Sequence, residues 1–272
     1  MGGAGLDGRL GWVTLVRAPN PGPMTLDGTN TWVLRAPGEG HGVVIDPGPL
    51  DEEHLARIAE LGPFLFIIVT HGHHDHVEGA ARLSELLGGT PVLAVDPAHC
   101  VGVGAVPLEP GGKLSGAGLD IRVLGTPGHT ADSVCFLVEC GNEQAMFTGD
   151  TILGRGTTVV ARPDGDLGAY LTSLDVLAAY RKVLMLPGHG PAQPDVAEVA
   201  RVYREHRRER LAQVEAAVAA GADTPEKVVD LVYPDIEPGV RFAAEWSAAA
   251  QLDYLRHKNR ESGTPAGRLD RL

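Results

Sequence analysis

The sequence predicts a layered α+β domain followed by a helical extension. Three observations carry this. Short apolar runs bounded by turn residues recur through the first two-thirds of the chain, among them residues 64–69, 121–124 and 145–147. Single amphipathic segments separate clusters of these runs, so sheets and helices belong to one layered unit. From Val196 onward the apolar spacing becomes helical and remains so. With 272 residues and 43% hydrophobic content, the chain can enclose a sizeable core.

Taken in order, residues 12–17 read as a first strand and 19–28 as a Pro- and Gly-rich loop. Residues 31–34 and 43–45 are further short strands. Residues 51–61 form a helix whose buried side is Leu55, Ile58, Ala59 and Leu61. A strand over 64–69 precedes a helix over 77–87, and 92–95 is a strand. The Gly-rich stretch 102–118 reads as loops and edge strands. Strands over 121–124 and 133–138 flank one loop, and residues 145–147 lead into another that runs through 157–161. A helix over 167–181 and a strand over 183–186 complete the unit.

The tail begins with an amphipathic helix carrying Val199, Val202, Tyr203, His206, Leu211, Val214 and Val218. Thr224 as N-cap and Pro225 as first residue start a short helix to Tyr233. Residues 234–239 break the chain, and 240–260 form a last helix with Trp246, Leu252 and Leu255. The expected division is 1–195 and 196–272.

The formal net charge of -12 argues against broad binding to nucleic acid or anionic membranes, though not against an anionic substrate at a local site. Residues 196–272 hold 12 Lys+Arg against 13 Asp+Glu, so the acidity lies in the first part. In the tail, Arg201, Arg204, Arg207, Arg208 and Arg210 read either as a phosphate-contacting stripe or as a solvated face partnered by Glu205 and Glu209. No apolar run approaches membrane-spanning length. Residues 1–10 lack the apolar segment of a secretory signal. Cys100, Cys135 and Cys140 show no CxxC spacing and read as small buried hydrophobes in a reducing, cytoplasmic setting.

The chemistry concentrates in the turn Thr-His-Gly-His-His-Asp-His, residues 70–76. Protonated imidazoles packed this closely repel one another, whereas neutral ones present lone pairs that a divalent cation satisfies. Three more turns repeat the design, each placing a glycine directly before a ligand-type side chain: Gly128-His129, Gly149-Asp150 and Gly188-His189. Each follows a strand-like run, and six of the eleven histidines lie in these four loops. Asp46, at the end of the strand 43–45, reads either as a turn cap or as an outer support of the metal loop.

The set His71-x-His73-x-Asp75-His76, His129, Asp150 and His189 resembles the ligands of the metallo-β-lactamase superfamily. Residues 20–31, 149–158 and 170–174 narrow the resemblance to the beta-lactamase-like protein 2 group, metal-dependent endoribonucleases acting on single-stranded RNA. The resemblance implies a four-layer αββα sandwich with a small winged-helix-like C-terminal domain. It implies two Zn2+ ions per chain, with iron or manganese as alternatives. His71, His73 and His129 would hold the first, Asp75, His76 and His189 the second, and Asp150 would bridge them. The implied reaction is hydrolysis by a water activated between the two ions, with Asp75 shuttling a proton to the leaving group.

His74 matches no ligand and is expected to face solvent. Asn30, Arg155, Thr157 and Tyr170 are the expected substrate pocket. RNA is the first substrate candidate, and a thioester or other acyl ester of the glyoxalase-II type is the alternative. A non-catalytic metal-containing module is the third reading. The tail would cover the rim of the site or form a homodimer.

Overall fold

A computed structural model describes residues 10–261. Two five-stranded sheets lie at its centre. The first has β1 (Val13–Arg17), β2 (Asn30–Leu34), β3 (Gly42–Ile45), β4 (Phe64–Ile68) and β5 (Val92–Leu93), in that order. The second runs β10 (Leu184–Pro187), β9 (Glu143–Gly149), β8 (Val134–Cys140), β7 (Leu119–Gly125) and β6 (Lys113–Gly116). Each is mixed: β3–β4–β5 and β9–β10 are parallel, and the other neighbours are antiparallel.

Inner strands such as β3 and β8 read as near-continuous apolar runs because both of their faces are covered, whereas the edge strands β1 and β6 keep exposed residues. Alternate residues of one strand enter different cores. Val43, Ile45 and Ile68 meet Phe136, Val138 and Phe147 between the sheets. Val44 and Ile67 turn outward to Leu55 and Ile58 of α1 (Glu52–Ala59) and Leu83 of α3 (Ala80–Leu86). Cys135, Leu137 and Met146 turn the other way, to Leu174 of α4 (Leu167–Leu177) and Val196 and Ala200 of α5 (Val196–Ala219). The result is the four-layer αββα order.

Several expectations are corrected. The helix over 77–87 is two helices, α2 (His74–Val77) and α3, parted at Gly79. The Gly48–Pro49 turn intrudes there: Gly79 N donates to Gly48 O, and Gly48 N to His76 O. A Cβ on Gly79 would lie 2.8 Å from Pro49 O. Helix α2 therefore starts earlier than expected and carries Asp75 and His76 itself. Leu61 is exposed instead of buried, because α1 ends at Ala59 and the chain turns outward. Helix α4 stops at Leu177 rather than running to residue 181.

In the tail, the first half of α5 packs beneath the second sheet. Its second half forms a separate core with α6 (Pro225–Val232) and α7 (Arg241–Glu261), built on Val214, Val228, Val229, Leu252 and Leu255. Thr224 caps α6 as expected. Among the described residues no strand follows Pro187. No helix there is long and apolar enough to cross a membrane. Cys135 and Cys140 are buried and Cys100 is half-buried, all as free thiols.

Candidate metal centre

Strands β3, β4, β7, β9 and β10 end at the same edge of the sandwich, and each hands its following turn to the site: Asp46 after β3, His71 after β4, His129 after β7, Asp150 after β9, His189 after β10. All seven expected ligand side chains converge. The groups His71–His73–His129, His71–His76–Asp150 and Asp75–His76–His189 each bring their donor atoms within 4.8 Å of one another. Asp150 lies between the two poles, with Oδ2 3.8 Å from His129 Nε2 and 3.3 Å from His189 Nε2.

The outer partners decide which nitrogen of each ring faces inward. His76 Nδ1 lies 2.8 Å from Asp46 Oδ2, and a carboxylate only accepts, so Nδ1 carries the proton. His129 Nδ1 donates likewise to Val159 O at 2.8 Å and His189 Nδ1 to Gly28 O at 3.4 Å. Thr70 Oγ1 gives its proton to Asp46 Oδ2 at 2.7 Å and so accepts from His71 Nδ1 at 3.0 Å. In their neutral form, four rings thus aim an Nε2 lone pair at the centre. His73 Nδ1 then sits 3.0 Å from His71 Nε2 and 2.9 Å from His129 Nε2. One ring proton can bridge one of those pairs but not both. Asp150 Oδ1 is buried with no hydrogen-bond partner. Inward lone pairs and an orphaned carboxylate oxygen fit divalent metal ions, and the neutral imidazole and carboxylate set suits zinc and iron alike.

The charges point the same way. Burial opposes protonation of His76, yet the carboxylates of Asp75, Asp150 and Asp46 raise its pKa well above the ordinary value. Burial also opposes His189, but Asp150 and Asp75 carry it to about 9. Burial alone would raise Asp75 and Asp150, and the facing imidazoles of His76 and His189 instead hold both carboxyls ionised. Burial dominates at His71, which falls well below its usual range, and at His129, which falls to about 4. The cluster draws in positive charge, and without a cation it takes protons.

The glycine before each ligand has a steric reason. A Cβ on Gly188 would lie 2.5 Å from Asp150 Oδ1 and 2.7 Å from His76 Cε1. At Gly128, which has φ +132°, it would meet Tyr170 N at 2.3 Å.

Asp46 braces the 70–76 turn, accepting from Thr70 N at 2.8 Å as well as from Thr70 Oγ1 and His76 Nδ1. His74 is exposed, as expected, and His73 leaves the first pole open to solvent. The expected substrate pocket is corrected. Asn30 is fully buried and donates to Pro187 O and Gly190 O, bracing the His189 turn. Tyr170 is fully buried beneath the Asp150 loop, donating to Thr151 O at 2.7 Å. Neither can touch a substrate in this arrangement. Arg155 and Thr157 are exposed, and Arg155 is paired with Asp27.

Thr29 escaped sequence reasoning. Its hydroxyl accepts from Asn20 Nδ2 at 3.0 Å and donates to Asp75 Oδ2 at 2.8 Å. The stretch 20–31 had marked the resemblance without revealing this role.

Residues 24–189 match the profile of the Metallo-beta-lactamase superfamily. The chain belongs to that superfamily. It is 32% identical over 243 residues to the Beta-lactamase-like protein 2 homolog of Caenorhabditis elegans, covering 85% of this chain and 80% of that one. It is also 32% identical over 249 residues to an Atrochrysone carboxyl ACP thioesterase of Aspergillus chevalieri, covering 84% and 75%. The crystal structure of a metallo-beta-lactamase family protein from Thermus thermophilus superposes with a TM-score of 0.75 at 23% identity, covering 92% of this chain and 95% of that one, a likeness of fold. The superfamily's members are typically hydrolases, and the two-sheet sandwich with its His/Asp cluster is the framework expected of one.

Proposed function

We propose that this superfamily member is a hydrolase using two zinc ions, with single-stranded RNA as its first candidate substrate. The observation that carries the reading is the inward set of imidazole lone pairs arranged as two poles with Asp150 between them. His71, His73 and His129 would hold one ion, Asp75, His76 and His189 the other, and Asp150 both. When bound, such a pair of ions acidifies a water toward neutral pH and polarises the bond under attack. Among the described residues only two carboxylates, Asp75 and Asp150, face inward, too little charge to neutralise two divalent cations, so the loaded pocket attracts anions. Asp75, about a quarter exposed and held by Thr29, is placed to pass a proton to a leaving group. The RNA reading rests on the likeness to the beta-lactamase-like protein 2 relative.

A second reading, acyl-thioester hydrolysis, is favoured by the equal identity to the thioesterase relative. Metal analysis and assay of the purified protein on single-stranded RNA and on acyl-thioesters tests both. RNA cleavage with about two zinc ions bound, abolished in Asp75→Ala, supports the first reading. Thioester cleavage alone replaces it with the second. A single tightly held ion and no hydrolysis of either substrate leaves only a metal-containing binding module.

A further inference from the structure

The five arginines of α5 do not form one solvated face. Arg201 pairs with Glu198, Arg204 with Asp175 and Arg208 with Glu205. Among the described residues no carboxylate pairs with Arg207 or Arg210. These two, with His206, face a cavity of about 200 Å³ between residues 157–159 and the tail helices, and no acidic side chain lines it. Thr157, Thr158 and Ser247 add hydroxyls to its wall.

The donors at this cavity exceed the acceptors. Arg207 is only 4% exposed, and its Nε has no hydrogen-bond partner. His206 Nε2 accepts from Arg210 Nε, so the proton of the neutral ring resides on Nδ1, which is also buried and without a partner. Burial and the neighbouring Arg207 and Arg210 push His206 below its ordinary pKa. Arg210 is half-buried over the Tyr233 ring and donates to Gln213 Oε1. The buried Arg207 guanidinium beside a neutral imidazole, however, has no carboxylate in the cavity, which is costly unless an anion joins it.

We propose that this cavity binds a phosphate group, held by Arg207, Arg210 and His206. A tetrahedral oxyanion supplies several acceptors at once, and arginine matches its geometry with paired donors. The cavity, several times the volume of one water, has room for it. It shares no side chain with the metal cluster but adjoins it. Arg207 donates to Thr158 O, the Thr158 hydroxyl donates to Asp150 O, and Val159 O holds His129. A phosphate here would sit behind the loop that supports two of the proposed ligands.

The test is a titration of the full, metal-loaded chain with inorganic phosphate, followed through the His206 ring resonance, assigned by its loss in His206→Gln. A saturable shift is expected, weakened about tenfold in Arg210→Gln by loss of a charge-assisted contact. Arg207→Lys, which keeps the charge but removes the fork, weakens it as well. Arg201→Gln, on the solvent side of the same helix, leaves it unchanged. A non-hydrolysable single-stranded oligonucleotide in place of phosphate separates the sources. A shift at much lower concentration marks a phosphate carried by a polymer, and no improvement marks a free phosphate. An unmoved His206 at tens of millimolar phosphate overturns the proposal. So does a shift that Arg210→Gln leaves intact, or one that acetate reproduces at equal concentration.

Discussion

Asp46 Oδ2 and His76 Nδ1 meet at 2.8 Å across 30 residues of sequence. The same carboxylate takes both the backbone N–H and the hydroxyl of Thr70. It therefore fixes the ring orientation of His76 directly and that of His71 through Thr70.

In Asp46→Asn an amide nitrogen turned toward His76 can only donate. His76 Nδ1 must then accept, and the ring proton moves to Nε2 on the inner side. Metal affinity is expected to fall about 10- to 100-fold, the usual cost of losing an outer partner. Competition with a chelator of known affinity measures it. Affinity equal to the parent's would show that Asp46 is only a turn cap.

Thr29→Val keeps the shape of the side chain but deletes the donor to Asp75 Oδ2 and strands Asn20 Nδ2. Hydrogen bonds to charged groups contribute about 1.5–3 kcal/mol, so turnover is expected to drop about ten- to a hundredfold with melting little altered. Unchanged kcat would rule out Thr29 as the group that positions Asp75.

Gly188→Ala drives a Cβ against Asp150 Oδ1 and His76 Cε1. The expected result is a folded protein that binds less metal. Gly40→Ala, at a position with open space, serves as control. Equal metal content in the two variants, read by elemental analysis, would contradict the steric account.

His54 lies buried on α1, donating through Nε2 to Thr31 Oγ1, whose proton goes to Asp46 O. Burial and Arg57 lower its pKa from 6.5 to about 4. The folded state thus prefers neutral His54, and between these values the unfolded chain binds more protons. The contribution of His54 is complete above about pH 6.5 and is lost as pH falls toward 4. Replacement by Gln, which keeps the donor to Thr31, is expected to flatten the stability profile in that window relative to the parent. Denaturant midpoints at several pH values decide it, and parallel profiles would refute the assignment.

Chelation should lower the melting temperature, since the cluster then relies on protons to offset Asp46, Asp75 and Asp150. Restoring zinc should raise it with added metal. A melting temperature indifferent to both would argue against a metal centre in this cluster.

The strands and the ligand types were legible in the sequence because both are local, whereas the four-layer order came only from the family resemblance. Apolar runs such as residues 64–69 announce strands, and a glycine before His129, Asp150 and His189 announces a tight turn. The break at Gly79, the exposure of Leu61 and the burial of Asn30 and Tyr170 were not legible. Each depends on what a distant segment brings against that residue, and periodicity carries no such information. Arg207 shows the limit well: the α5 pattern left a phosphate-contacting stripe and a solvated face both open, yet packing places this one guanidinium against Tyr170 and Thr158 O.

By itself, then, the sequence determined which donors exist, that they occupy turns after strands, and that a helical tail follows. Tertiary structure decided which nitrogen of each histidine points inward. The proton positions are set by acceptors such as Asp46 and Gly28 O, the latter 161 residues from the His189 it holds. The parallel pairing of β3 with β4 brings Asp46 to His76, and the packing of the two sheets against each other brings Gly28 O to His189.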